Sequence, residues 1–229
     1  MRIDILSLFP DMFAPLKESI IKRAVDDGKV EICITNIRDF ATPPHYKCDD
    51  EVFGGGAGMV MMCDPLFKAI ESVQRHNSHI FYMSPRGSVF KQALAREYAQ
   101  YEHIIIICGH YEGIDQRVID YFNIQELSIG DYVLTGGEIP AMAVVDSIVR
   151  LIPDVIKKES TEDESFSNDL LEYNQYTRPA VYREMAVPDV ILSGHHKKIA
   201  EHRLAESIQI TRKNRPDLYR KYMRKNKGK

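Results

Sequence analysis

Two glycine-bearing segments contain the residue types best suited to build a ligand pocket. They are Cys108–Asp115 and Ser128–Glu138, which start twenty residues apart. Each follows or ends an apolar run typical of a strand, and glycine at such a turn lets backbone N–H and C=O groups approach a ligand closely. We therefore expect a pocket made mostly of main chain, where two neighbouring strands end.

A third segment of this kind is Ser84–Gly87, directly after one predicted strand and before a predicted helix. Ligands of open parallel sheets bind at the carboxyl ends of the strands. Three such turns favour ligand loops over simple tight turns. The run Gly54–Gly58 is different, because it lacks the Lys-Ser/Thr of a phosphate loop and the strand–helix context of a dinucleotide fingerprint. We interpret it as a mobile loop.

Several charged residues have a structural as well as a functional interpretation. Asp115 and Arg117 fit capping and pairing at the start of a helix. Arg150 ends a predicted helix, where a cation interacts favourably with the helix dipole, and it is also a candidate ligand group. The acidic run 162–164 lies in a stretch without periodicity, where acids are usually only solvated.

The cysteines and the N-terminus indicate a reducing, aqueous environment. Neither Cys33, Cys48, Cys63 and Cys108 nor the pair His195-His196 has zinc-ligand spacing, so we predict reduced thiols and no metal site. The N-terminal apolar run is too short for a signal peptide, and no run reaches membrane-spanning length. The sequence predicts a soluble, cytoplasmic protein.

The alternation of apolar runs and helical patterns predicts an α/β fold. Ile104–Ile107 is apolar on both faces, as expected for a mainly parallel sheet covered by helices. The predicted strands are 3–8, 30–37, 79–84, 103–108 and 125–129, and the predicted helices are 12–26, one capped by Asp64, 89–101, 113–121 and 139–151.

The chain changes character after Pro153. We predict a first domain at 1–157, a flexible linker at 158–172 and a small helical domain at 173–229. Residues 195–229 hold 12 Lys and Arg against 3 acids, although the net charge of the whole chain is −3. A basic end on an acidic body predicts a polyanionic partner that meets mainly this end.

Distinctive segments along the whole chain resemble the bacterial tRNA (guanine-N1)-methyltransferases, knotted enzymes of the SPOUT class. The segments that carry the resemblance are Leu8–Phe13, Asp49-Asp50 with Gly54–Met59, Ser84–Gly87, Cys108–Asp115, Ser128–Glu138, Leu151–Pro153, Leu170–Glu172, Tyr176–Pro179 and Val187–Gly194. Their number and order make the resemblance far more specific than any single glycine loop.

The resemblance implies a deep C-terminal trefoil knot, which is rare among protein folds. It implies that S-adenosylmethionine is the methyl donor and that the enzyme is a homodimer, with tRNA held over the interface by the C-terminal domain. The residues that the resemblance assigns to the donor are Ser84, Pro85, Gly87, Gly109, Tyr111, Gly113, Ile129, Gly130, Asp131, Tyr132, Val133, Leu134, Gly136 and Gly137.

The substrate that the resemblance implies, the guanine immediately 3′ of the anticodon, sets the chemistry. Its N1 becomes a good nucleophile only as the N1 proton leaves, and negative charge then builds on O6. By resemblance, Arg150 stabilises O6 and an acid of the linker is the base. The resembled family usually has an aspartate directly before a Ser-Phe pair. In this chain the residue before Ser165-Phe166 is Glu164, and the aspartate, Asp163, lies one position earlier. The sequence leaves both open as the base.

The resemblance also implies that Glu112 lines the guanine pocket with Asp49 and Gly58 nearby, and that activity depends on Mg²⁺. Two other functions stay open. One is a related knotted enzyme that methylates a different RNA base with the same donor. The other is an RNA-binding protein that kept the fold without catalysis.

Overall fold

The structure, a computed structural model, describes residues 1–157 and 164–226. The candidate base Asp163 lies outside the described residues. The chain divides into two compact units, Met1–Ile156 and Lys157–Lys229. The described part of the predicted linker, 164–172, belongs to the second unit.

The first unit is built on a five-stranded sheet in the order β2-β1-β6-β5-β7, and all of its strand pairs are parallel. The strands are β1 (Arg2–Ser7), β2 (Glu31–Asn36), β5 (Ser78–Val89), β6 (His103–Cys108) and β7 (Gln125–Ser128). The short strands β3 (Asp49–Glu51) and β4 (Met59–Met61) form a separate antiparallel pair. The predicted parallel sheet is thus confirmed.

Helices cover both faces of the sheet because its central strand is apolar on both sides. All four side chains of Ile104–Ile107 are fully buried. Alternate residues of this run belong to two separate core clusters, one with Val145 and the other with Leu66. Full burial of an isoleucine side chain contributes about 1.5–3 kcal/mol, so this strand is a main source of stability.

The helices of the first unit are α1 (Ser19–Asp26), α2 (Cys63–Val73), α3 (Gln92–Tyr98), α4 (Gln116–Phe122) and α5 (Glu138–Val149), with 3-10 helices at Pro10–Lys17 and Ile37–Phe40. The predicted helix 12–26 is wrong as one element, since a 3-10 helix ends at Lys17 and α1 begins at Ser19, whose φ is +54°. The predicted cap Asp64 is also wrong, because α2 begins one residue earlier.

A buried polar cluster ties together the amino ends of three strands. His103 Nε2 lies 2.8 Å from Asp4 Oδ2, and His103 Nδ1 lies 2.7 Å from the hydroxyl of Ser78. Arg2 donates to both carboxylate oxygens of Asp4. Asp4 and His103 are almost fully buried, so these hydrogen bonds replace those that water would make.

The second unit is mainly helical where it is described. It contains α6 (Asp189–Leu192), α7 (His196–Asn214) and α8 (Pro216–Asn226), with a two-stranded hairpin of β8 (Val181–Tyr182) and β9 (Met185–Ala186). Lys221 and Lys225 both bind Asp169, and their hydrogen bonds and charges lower the pKa of this carboxyl. No helix within residues 1–157 and 164–226 is long and apolar enough to cross a membrane.

Candidate active site

A cleft of about 900 Å³ opens at the carboxyl edge of β5, β6 and β7. Its walls come from the segments that the sequence singles out, at 84–86, 109–117, 127–130 and 132–137, together with β4 and the start of α2. Met83, Leu127 and Pro140 give it an apolar wall, and Glu112 and Asp115 contribute carboxylates. The predicted pocket at the ends of neighbouring strands is therefore present.

Close chain packing explains why glycine is required at two of these turns. A β-carbon on Gly109 would lie 2.7 Å from the ring of Tyr82. One on Gly137 would lie 2.7 Å from the α-carbon of Cys108, and the Gly137 N–H donates to the Gly109 carbonyl over 2.9 Å. The sequence interpretation, that these glycines serve mainly the approach of a ligand, misses this requirement.

The segment Ser84–Gly87 is not a turn after a strand, as predicted, because extended β5 continues through it to Val89. Met83 and Ser88 both register with Leu127 of β7, so the residues between them bulge out of the pairing. A β-carbon on Gly87 would lie 2.4 Å from the Leu127 nitrogen. Gly87 therefore serves strand packing, whereas Ser84 and Pro85 line the cleft.

Most of the residues predicted to hold a methyl donor surround the cleft. Those that line it are Ser84, Pro85, Gly109, Tyr111, Gly113, Ile129, Gly130, Tyr132, Val133, Leu134, Gly136 and Gly137. Gly87 and Asp131 do not line it, although Asp131 belongs to the exposed turn that follows β7. The structure thus brings three separate stretches of chain to one place.

The three residues predicted to meet a guanine also lie close to one another. The Glu112 N–H donates to the Met59 carbonyl over 2.9 Å, and Gly58 lies against the Glu112 side chain. Burial raises the pKa of Tyr111, and the nearby Asp49 carboxylate raises it further. Glu112 thus lines the cleft and contacts Gly58, whereas Asp49 lies beside Tyr111, the residue before Glu112.

A buried carboxylate that the sequence interpretation missed lies behind the cleft. Glu138, 1% exposed, accepts a 2.6 Å hydrogen bond from the Ser7 hydroxyl, and its other oxygen lies 2.8 Å from His110 Nε2. Burial and the Glu138 charge raise the pKa of Cys108 well above its ordinary value. A glutamate at a helix start usually indicates only a favourable interaction with the helix dipole, so little in the sequence points to this role.

Asp115 and Arg117 have the structural role predicted for them. The Asp115 side chain accepts from the Arg117 N–H and so caps α4. The Arg117 guanidinium also binds it over 2.7 Å and lowers the pKa of Asp115 to about 2.

Comparison with known proteins assigns the chain to a family. Residues 1–221 match the family described as tRNA (Guanine-1)-methyltransferase TrmD. The chain belongs to this family. It is 53% identical over 220 residues to the tRNA (guanine-N(1)-)-methyltransferase of Carboxydothermus hydrogenoformans, covering 95% of this chain and 87% of that protein. It is also 51% identical to the protein of the same name from Clostridium botulinum strain Kyoto, over 97% of this chain and 93% of that protein. The identity to the protein of the same name from Clostridioides difficile is 51% as well, over 96% of this chain and 98% of that protein.

Two candidate residues of this tRNA methyltransferase, Arg150 and Glu164, do not line the cleft of the first unit. Arg150 is the C-cap of α5, whose first residue is Glu138. The twelve residues of α5 put it about 18 Å from the helix start that adjoins the cleft, at 1.5 Å per residue. Glu164 is half-buried in the second unit, where it lines a cavity of about 700 Å³ beside α7 and α8.

Proposed function

We propose that this chain transfers a methyl group from S-adenosylmethionine to N1 of the guanine immediately 3′ of the anticodon in tRNA. One observation carries the proposal: three chain segments converge on a single cleft, and the carboxylate of Glu112 stands on its wall. The family of the chain and the names of its relatives support the same reaction.

The cleft suits the proposed donor. Its apolar wall fits an adenine ring, whereas its backbone turns and carboxylates fit the polar and cationic ends of the molecule. When bound, S-adenosylmethionine supplies an electrophilic methyl group on a sulfonium. The segments at 84–86, 109–113 and 129–137 would hold the donor, so that the methyl group faces Glu112, Gly58 and Asp49.

The residues of the chain would then serve the guanine. The proposed base, Asp163 or Glu164, removes the N1 proton, and Arg150 stabilises the negative charge that builds on O6. The target base has to leave its stack in the anticodon loop to reach the cleft. Within α5, Arg150 stands about 18 Å from the cleft end of the helix, so it can serve a guanine only at the cleft of a second subunit.

A homodimer with its active site at the subunit interface is therefore part of the proposal, as is the trefoil knot of the first domain. The close packing of Gly137 on Cys108 and Gly109 supports the knot, because it brings the chain after β7 back against the end of β6. The basic helices of the proposed domain 173–229 hold the tRNA through its phosphates, which supply affinity without reading bases.

We propose no protein site for Mg²⁺, the ion that the resemblance implies. Within the described ranges 1–157 and 164–226, no group of three or more His, Cys, Asp or Glu side chains could hold a metal ion. None of the steps above depends on one.

The test is transfer of labelled methyl from S-adenosylmethionine to two tRNA transcripts that differ only by guanine or adenine immediately 3′ of the anticodon. We expect label on the guanine transcript alone. Label on both transcripts would place the target elsewhere in the tRNA and favour a related enzyme. Binding of tRNA without any label would favour a protein that only binds RNA.

A further inference from the structure

We infer that Glu138 is a positioning residue that holds the wall of the methyl-donor cleft through His110 and Ser7. This inference rests on the proposed function. Glu138 is not one of the groups proposed to touch donor or guanine. Its role is to fix the two glycine turns that face each other across the end of β6.

We treat Glu138 as an ionised carboxylate, and this choice sets the donors around it. An ionised carboxylate can only accept, so the Ser7 hydroxyl donates to Oε1 and His110 donates its Nε2 proton to Oε2. The Ser7 oxygen in turn accepts from the Phe9 N–H over 2.9 Å. Glu138 is the first residue of α5, where the helix dipole stabilises its negative charge.

The cluster closes on itself through an aromatic contact. The rings of Phe9 and His110 are 4.6 Å apart between centroids. The chain that follows β1, the turn that follows β6 and the start of α5 therefore meet at one buried carboxylate. This contact links the segment Leu8–Phe13, to which the proposed mechanism gives no ligand, to the cleft.

The consequence for the cleft comes through Gly136 and Gly137. A β-carbon on Gly136 would lie 2.5 Å from the His110 ring, and Gly137 donates to the Gly109 carbonyl. The His110 ring thus fills the space that separates the two turns. If it loses its hydrogen bond to Glu138, the Gly137–Gly109 hydrogen bond still joins the two turns, but the ring between them is no longer held from behind, and the donor binds a wall that is less preorganised.

The decisive variant is Glu138→Gln, which keeps the size of the side chain. It replaces one of the two acceptors by an NH₂ donor that faces either the Ser7 hydroxyl or the His110 N–H. One of the two hydrogen bonds is then lost or reversed. Ser7→Ala removes one donor to Glu138 and the acceptor of the Phe9 N–H but leaves the His110 bond in place, so its effect on the cleft should be smaller.

Binding of S-adenosylhomocysteine to the full chain, measured by calorimetry at 25 °C, reads the effect without catalysis. We expect the Kd of Glu138→Gln to rise about ten-fold, because the variant leaves one buried hydrogen-bonding group unsatisfied. The Kd of Ser7→Ala should rise about three-fold. In kinetics the KM for the donor should rise likewise, whereas kcat at saturating donor and the KM for tRNA stay within about two-fold. Asp146→Asn, an exposed carboxylate of the same helix, is the matched control and should change none of these.

A Kd within two-fold of wild type for Glu138→Gln would overturn the inference, and so would equal losses in donor affinity and tRNA affinity, which indicate a merely structural residue. Melting curves show whether each variant is folded at 25 °C. Where Glu138→Gln is unfolded, the Ser7→Ala and His110→Asn variants decide on the same criteria. Failure of the proposed function looks different, since the wild-type chain itself would then not transfer methyl to tRNA.

Discussion

Glu112 occupies the space that a side chain at Gly58 would need. A β-carbon on Gly58 would lie 2.5 Å from the Glu112 Cγ, and the φ angle of Gly58 is +97°, which other residues rarely adopt. The glycine is therefore required twice, by its own backbone and by the carboxylate beside it. This contact puts the loop 54–58 and the turn 109–113 under a common constraint.

The Gly58→Ala variant tests this constraint. The added methyl group has to displace Glu112, so methyl transfer should fall about ten-fold or more in kcat/KM for tRNA, whereas donor affinity stays close to wild type. The matched control is Gly55→Ala. Gly55 has a similarly positive φ of +82°, but among the described residues other than its chain neighbours no atom lies within 4 Å of the added carbon. The Gly55→Ala variant therefore has the same kind of backbone strain but displaces no side chain, so its kcat/KM for tRNA should fall less. Equal losses in both variants would assign the effect to strain alone.

The two candidate bases can be separated by neutral isosteres. Asp163→Asn and Glu164→Gln, made separately, should give one large loss of kcat, about 100-fold or more, and one small loss. Donor affinity should change little in either variant, because neither acid is assigned to the donor. The measurement is single-turnover methyl transfer with the guanine transcript. Small and equal losses would remove the linker acids from the mechanism.

The buried cluster at the amino ends of the strands should affect stability and not the site. His103→Ala leaves Asp4 without one of its buried partners, so the free energy of unfolding should fall by about 2–4 kcal/mol. Urea unfolding measures this loss, with the exposed His76→Ala as control, expected within about 0.5 kcal/mol of wild type. Donor affinity at 25 °C should be unchanged, since the cluster lies at the opposite edge of the sheet. A large loss of donor affinity would contradict this separation.

Asp115 predicts a pH-dependent contribution to stability. Its pKa is about 2 in the folded chain, below the ordinary value of 3.8. A depressed carboxyl pKa stabilises the fold above the unfolded value, and this stability is lost as the pH falls from about 4 to about 2. Asn also caps helices, so Asp115→Asn should lose only the ion pair, about 0.2–1 kcal/mol at pH 7, and Asp115→Ala about 1 kcal/mol more.

Unfolding of both variants at pH 7 and pH 2.5 checks the sign of this effect. The gap between wild type and Asp115→Asn should narrow at the lower pH, because the wild-type carboxyl approaches protonation there. A gap that widens on acidification would contradict the assignment.

The sequence predicted best where a single local pattern decides the structure. The run Ile104–Ile107 is apolar on both faces, and β6 has the bounds predicted for it. Asp115 and Arg117 form the predicted cap and ion pair because two residues suffice for both. The convergence of the three glycine segments also followed from one rule about parallel strands.

The wrong predictions concern residues whose structure depends on partners far away in the sequence. Val89 seemed to start a helix, but it pairs with Ser128 and extends β5. The segment Ser84–Gly87 is predicted as a turn, but β5 runs through it, and Gly87 packs against the backbone at Leu127 of β7. Glu138 has no role in the sequence analysis beyond ending a glycine segment, since its partner Ser7 is 131 positions away. The local pattern of apolar and polar residues does not indicate contacts between residues so far apart in the sequence.

That distance along the chain also affects the order in which the protein can assemble during synthesis. A ribosome adds about 5–20 residues per second, so Ser7 is made about 7–26 seconds before Glu138. Strand β1 can meet β2 early, but its other neighbour, β6, appears nearly a hundred residues later. During that interval β1 has one unpaired edge and lacks its partner β6, and exposed strand edges and apolar surface of this kind make unfinished chains prone to aggregate.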